Sequence, residues 1–64
     1  MEIVLDDGNV IEVEKEKAVI EDILNEIKIN PVEVIVAKNG KITSELDFAE
    51  AGDQIKIIRI IHGG

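Results

Sequence analysis

The chain has no cysteine, tryptophan or tyrosine, and only one phenylalanine and one proline among its 64 residues. Without a thiol there is no disulfide framework, no thiolate zinc site and no cysteine nucleophile, so sulfur chemistry of any kind must sit elsewhere than on a side chain. Basic residues are scarce as well. Seven Lys and Arg stand against fourteen Asp and Glu, a formal net charge of −7. That balance opposes direct binding to nucleic acid or to an anionic membrane, both of which are held mainly by Lys and Arg. It suits a basic protein partner better. No stretch reaches the roughly 18 uninterrupted apolar residues of a membrane span. Glu2 and Asp6 stand where a signal peptide would carry a basic start and an apolar run, so the cytoplasm is the expected compartment.

Catalytic constellations are missing too. There is a single His and only two hydroxyl side chains besides, the adjacent Thr43 and Ser44, and no phosphate-cradling glycine loop leads into a helix. The acid pairs Asp6/Asp7 and Glu21/Asp22 read as a turn opening and a solvated helix face. His62 has no neighbouring ligand. Neither catalytic nor metal-binding residues are therefore expected, and a single domain this short leaves little room for an enclosed active site.

What is abundant is Ile and Val, twenty residues in all, which pack well on a pleated surface. Met1 to Asp6 and Val10 to Glu14 read as strands joined by Asp7-Gly8-Asn9, a hairpin turn. Alternation places Met1, Ile3, Leu5, Ile11 and Val13 on one face. From Ala18 to Lys28 the positions Ile20, Ile23, Leu24 and Ile27 form one helical stripe opposite Glu21, Asp22, Asn25 and Glu26. No Ser, Thr, Asp or Asn precedes that stripe to fix its start, whereas Pro31 fixes its end.

Val32 to Lys38 reads as a strand, Asn39-Gly40 as a two-residue hairpin turn, and Lys41 to Thr43 as a short return strand. Ser44 to Asp47 has the spacing of a capping box with Asp in the Glu position, which predicts an irregular helical turn over 45–50 that buries Leu46 and Phe48. Gln54 to Ile61 is nearly continuous in Ile, as befits a strand with neighbours on both sides. The order ββαβββ with one helix implies an α+β, two-layer domain: a mixed sheet, the first and last strands central, and the helix packed across one face. The expected division is a domain over 1–61 and a flexible tail over 62–64.

Two features carry function. If Val32, Val34, Val36, Ile55 and Ile57 face the helix, then Glu33 and Lys56 point the other way, and Ile35, Ala37, Ile58 and Ile60, together with Val4, form an apolar patch on the uncovered face. Such a patch suits partner docking; a dimer contact is the other reading. The second feature is Gly63-Gly64. Small residues at a terminus are often unimportant. Here they follow a rigid Ile-rich strand, and an unbranched arm can thread a narrow channel and present its carboxylate to an ATP-dependent adenylating partner.

The hairpin, the Ile20-to-Ile27 helix, the Val32-to-Ala37 strand, Asn39-Gly40-Lys41-Ile42, then Gly52-Asp53-Gln54-Ile55-Lys56-Ile57 and the closing Gly63-Gly64 together resemble the ubiquitin-like sulfur carriers of the ThiS and MoaD type. The resemblance covers the whole chain and is most specific over its last thirteen residues. In length the chain is closer to ThiS. The segment after Ile42 is shorter than in typical ThiS proteins and lacks their basic and aromatic residues.

The resemblance implies a β-grasp fold and a carrier rather than an enzyme. It implies that a ThiF/MoaB-like adenylating enzyme, using ATP and magnesium that the carrier itself does not hold, activates the Gly64 carboxylate. A sulfur donor then makes the thiocarboxylate, and a sulfur-accepting synthase consumes it in thiamine thiazole or molybdopterin formation or in tRNA thiolation. Gly63 would give access, Ile35, Ala37, Ile58 and Ile60 would bind the partner, and the free carrier would be a monomer. Two alternatives remain open at this point: a modifier conjugated to lysines through the same terminus, and a non-covalent interaction domain using only the apolar face.

Overall fold

A computed structural model describes residues 1–60. Residues 61–64, and with them Gly63, Gly64 and the expected boundary at 61/62, lie outside the described residues. The main sheet has five strands, β1 (Glu2–Val4), β2 (Val10–Glu12), β4 (Val34–Lys38), β5 (Lys41–Thr43) and β7 (Gln54–Arg59), in the order β2-β1-β7-β4-β5. β7 runs parallel to β1 and antiparallel to β4, so the first and last strands lie side by side at the centre as expected. Among the described residues a single α-helix, α1 (Ile20–Glu26), covers one face. The α+β, mixed-sheet reading therefore holds.

The core forms where the two periodicities meet. Ile3, Ile55, Ile57, Val34 and Val36 point inward from the sheet against Ile20, Ile23 and Leu24 of α1, and Ile3, Ile20, Leu24 and Ile55 are wholly buried. Leu5, Ile11, Val13 and Ile27 pack around the margin. The two hairpins follow their turn chemistry. Asn39 (φ 51°) and Gly40 (φ 85°) both take the left-handed conformations of a two-residue turn, which sets Lys38 opposite Lys41. In the first turn the Asp7 carboxylate accepts from the Asn9 backbone and side-chain nitrogens, both at 2.9 Å.

Four expectations are corrected. Ala18 and Val19 are not helical: they belong to β3 (Lys17–Val19), which pairs antiparallel with β6 (Phe48–Glu50) as a separate two-stranded ladder. The helix starts at Ile20, with Val19 extended before it and no side-chain cap. Its first amides are satisfied instead by the backbone carbonyls of Asp47 (2.9 Å, to Ile20) and Glu45 (2.7 Å, to Glu21), so a distant loop does the work a capping side chain does elsewhere.

That loop is not the predicted helical turn. Ser44 to Asp47 is a β-turn closed by Asp47 N–H donating to the Ser44 carbonyl at 3.0 Å. The Asp47 carboxylate accepts from the Thr43 hydroxyl and from the Ser44 amide, and these bonds, with Lys38 nearby, hold it below the usual carboxylate range. Leu46 and Phe48 are exposed, not buried; Ala49, one residue on, fills the core because only alternate residues of β6 face inward. Lys17 lies over the Phe48 ring, 4.6 Å from its centroid.

Val32, read as an inward strand residue, is 82% exposed. Pro31 opens a 3-10 turn over Pro31–Glu33, and the Asn30 side chain accepts from the Val32 amide at 3.1 Å, so β4 starts only at Val34. The fourth correction concerns Ala37 and belongs to the uncovered face described below.

The helix ends at Glu26, two residues before Lys28, with Ile27 as its C-cap. Ile29 N–H donates to Leu24 C=O (2.8 Å) and Lys28 N–H to Asn25 C=O (3.1 Å), the paired bonds of a Schellman motif. The residue at its left-handed position is Lys28 (φ 62°), where glycine is usual. Lys28→Gly is expected to raise stability by about 0.5–1 kcal/mol once the extra freedom of the unfolded chain is deducted. A higher urea midpoint with an unchanged slope is the sign to look for, and a midpoint at or below that of the parent would show that the backbone there carries no strain.

Candidate functional site: the uncovered face of the sheet

Pairing register settles which residues share the face away from α1. Ile35 of β4 lies directly opposite Ile58 of β7. The next row runs across all five strands as Val10, Val4, Lys56, Ala37 and Ile42, each the register partner of its neighbour. Beyond it comes the polar row of Glu12, Glu2 and Gln54, where the Gln54 side-chain amide donates to Glu2 at 3.0 Å. Two residues apart on a strand means the same face, so Lys56 and Ile58 point together. At the other end, Ile60 N–H donates to the Glu33 carbonyl at 2.8 Å and extends the β4–β7 pairing past the last residue of β7.

Ile35, Ile58 and Ile60 are exposed at 41%, 38% and 37%, as a surface with nothing folded over it requires. Ala37 corrects the expectation. It faces the same way, but it is only 7% exposed and lies outside the core cluster. Its single methyl sits in the row between Lys56 and Ile42, whose longer side chains flank it and make it the floor of the patch. Val10 (55% exposed) and Ile42 (70% exposed) join the face. Their place follows from strand alternation and from the two-residue Asn39-Gly40 turn, a register signal present in the sequence and not used there.

The rest of the described surface offers no competing chemistry. Among the described residues no three His, Cys, Asp or Glu side chains are grouped so as to hold a metal ion. Among them, no helix is long and apolar enough to cross a membrane. An open cleft of about 340 Å³ is lined by Met1, Val13, Lys15, Ala51 and Gly52 with Glu12, Glu14 and Glu16, and the Lys15 amine is held by Glu26 at 2.6 Å. Asp53 is held below the usual carboxylate range by the Glu50 amide (2.8 Å), with a further bond from the Asn39 side chain (3.0 Å). It fastens the turn before β7 and faces no site. The acids Asp6, Asp7 and Asp22 are exposed and Glu21 is half-buried.

The geometry thus leaves one face of the sheet uncovered and apolar. An apolar face lies on one side of the sheet, and β7, its central strand, carries the chain to Ile60 at the isoleucine end of that face. Comparison with known proteins fits this arrangement. The family model described as ThiS family matches residues 2–64. No curated protein is significantly similar to the chain. Among solved structures, the chain is similar to the thiamine biosynthesis protein (ThiS) from Geobacter metallireducens, with a TM-score of 0.70 and 20% identity over 100% of both chains. That likeness is one of fold, and it identifies the five-stranded sheet and its helix as a β-grasp arrangement.

Proposed function

Because the chain belongs to the ThiS family of small sulfur carriers, we propose that it carries sulfur on the Gly64 carboxylate for thiamine thiazole formation in the cytoplasm. The observation that carries this reading is the span of the family match, which runs through Gly63 and Gly64 rather than stopping at the folded domain. The solved relative's description as a thiamine biosynthesis protein supports the choice of pathway. Carriers of this family work with an activating enzyme and a sulfur-accepting synthase; here the activating enzyme is of the ThiF/MoaB-like adenylating type.

In the first step a Gly64 carboxylate oxygen attacks the α-phosphorus of ATP, magnesium-bound on the partner, and pyrophosphate leaves. The acyl-adenylate is now open to a nucleophile, since AMP departs far more readily than oxide from a free carboxylate. A sulfide-level sulfur attacks the carbonyl carbon, the carbon–sulfur bond forms, and AMP leaves with the electrons of the carbon–oxygen bond. The product is a thiocarboxylate with one oxygen replaced by sulfur. Gly63 and Gly64 place no side chain beside the reacting carbonyl, so approach is open from either side.

The carrier's own contribution is positioning. The monomeric carrier docks through Ile35, Ile58 and Ile60, with Ala37 beneath them, so that the partner holds the sheet while the terminus enters its active site. Incubation with the activating enzyme, ATP, magnesium and sulfide, followed by intact-mass measurement, tests the reading. The expected result is a mass gain equal to exchange of one oxygen for sulfur, located at the C-terminus. An unchanged mass under conditions where the enzyme cleaves ATP would overturn it.

A further inference from the structure

The uncovered face is apolar in all but one position of its middle row. Lys56 lies on the central strand, opposite Val4 of β1 on one side and Ala37 of β4 on the other, and two residues from Ile58. Among the described residues, ion pairs join the Met1 amino group to Glu12 (3.7 Å) and Lys15 to Glu26 (2.6 Å); Lys56 has neither an ion pair nor a side-chain hydrogen bond. Acidic residues outnumber basic ones two to one in this chain, so an unpaired cation at the centre of its apolar face is not what composition alone would place there. Glu2, the carboxylate of the adjoining row on β1, is engaged by Gln54 instead.

Covering this face removes water from the Lys56 ammonium. A charge buried without a partner is strongly unfavourable, so a surface that docks here must either bring an acceptor or leave the lysine a wet path. The first solution also discriminates. A matching carboxylate on the partner is worth little extra affinity compared with an apolar contact, but a partner without one meets an uncompensated ammonium in the middle of the interface. Elsewhere the chain's net charge repels acidic surfaces, so a single acid set within an apolar, otherwise neutral or basic groove is the complementary pattern.

We propose that Lys56 is a specificity-determining residue of the docking face, and that the partner surface it selects is an apolar groove bearing one carboxylate that pairs with the Lys56 ammonium. The inference rests on the docking reading given above and adds the chemistry by which the partner is recognised. Ile35 and Ile58 supply contact area beside the pair, and Lys56 decides which apolar surface is accepted. Lys56 is a binding residue only; it takes no part in the chemistry at Gly64.

ATP–pyrophosphate exchange by the adenylating enzyme, followed as a function of carrier concentration, reads this directly. Lys56→Glu is expected to raise the KM for carrier by about tenfold or more, with kcat at saturation unchanged, because like charges then face each other at the same spot. Lys56→Arg keeps the charge and stays within about threefold of the parent. Lys15→Glu makes the same change of net charge on the helix side and stays within about twofold. A parental KM for Lys56→Glu overturns the inference, as does a Lys15→Glu effect as large as that of Lys56→Glu. Absence of exchange with the parent chain overturns the docking reading itself, and this inference with it.

Discussion

Removal of Gly64 will abolish sulfur loading, lowering the rate of thiocarboxylate formation by about a hundredfold or more while leaving the folded domain untouched. The truncated chain still ends in a glycine carboxylate, so the chemistry of the group is unchanged and only its reach differs. One residue of extended chain spans at most about 3.3–3.6 Å. Reacting atoms must come within about 3–3.5 Å, and a misplacement of 1 Å can already cost about a hundredfold. With the face docked, the shortened arm leaves its carboxylate short of the α-phosphorus by a full residue. Among the described residues the core lies within residues 1–57, and Gly64 carries no side chain to bury, so the thermal midpoint should match that of the parent. Intact-mass kinetics and a melting curve on the same sample decide the matter; loading at the parental rate would show that the reactive group is not where we place it.

Ile55→Ala will unfold most of the protein. Ile55 is wholly buried on the central strand, with Ile3 as its register partner on β1 and Lys38 on β4. Truncations of this kind in a packed core cost about 2–5 kcal/mol through lost burial and the cavity left behind. The core of a domain this small supplies no more than about 3–5 kcal/mol, so one substitution consumes most or all of the margin. Ile55→Val, which removes one methylene, should cost about 0.5–1.5 kcal/mol and remain folded. Ile58→Ala, three residues on and facing solvent, should stay within about 0.5 kcal/mol of the parent. Urea titration by circular dichroism separates the three, and a parental midpoint for Ile55→Ala would mean that the centre of the sheet is not where stability resides.

The contrast between Ile55 and Ile58 also shows what was legible in the sequence. Both are isoleucines in one nearly continuous apolar run broken at Lys56, and alternation alone assigns one to the core and the other to the uncovered face. The helical stripe from Ile20 to Ile27 and the Asn39-Gly40 turn were equally plain, because a periodicity of 3.6 and a left-handed dipeptide leave few other solutions. The β3–β6 ladder was not legible. Its strands are three residues each, Lys17-Ala18-Val19 runs straight into the helical stripe, and their partner in pairing lies some thirty residues away. The capping spacing at Ser44 was real, but it served a β-turn: Asp47 bonds to Thr43 and Ser44 and lends its carbonyl to the helix start.

Ala37 illustrates the limit of face assignment. Alternation states where a side chain points and not how tall its neighbours stand, so a methyl between Lys56 and Ile42 was correctly oriented and wrongly expected to be exposed. At the candidate site alternation turns the isoleucines and Lys56 outward, whereas the place of Lys56 between Val4 and Ala37 comes only from register.

The Ile60–Glu33 bond and the two ladders of β7 have a mechanical consequence. A carrier whose terminus is drawn into a partner is pulled along the axis of β7, and that strand is bonded to β1 on one side and β4 on the other. Tension in that direction loads the hydrogen bonds of both ladders in shear, all together, instead of peeling them one at a time from an edge. The strand that delivers the tail is the one the sheet holds most firmly against traction, so the domain acts as a stop that lets the arm be pulled taut without being unravelled.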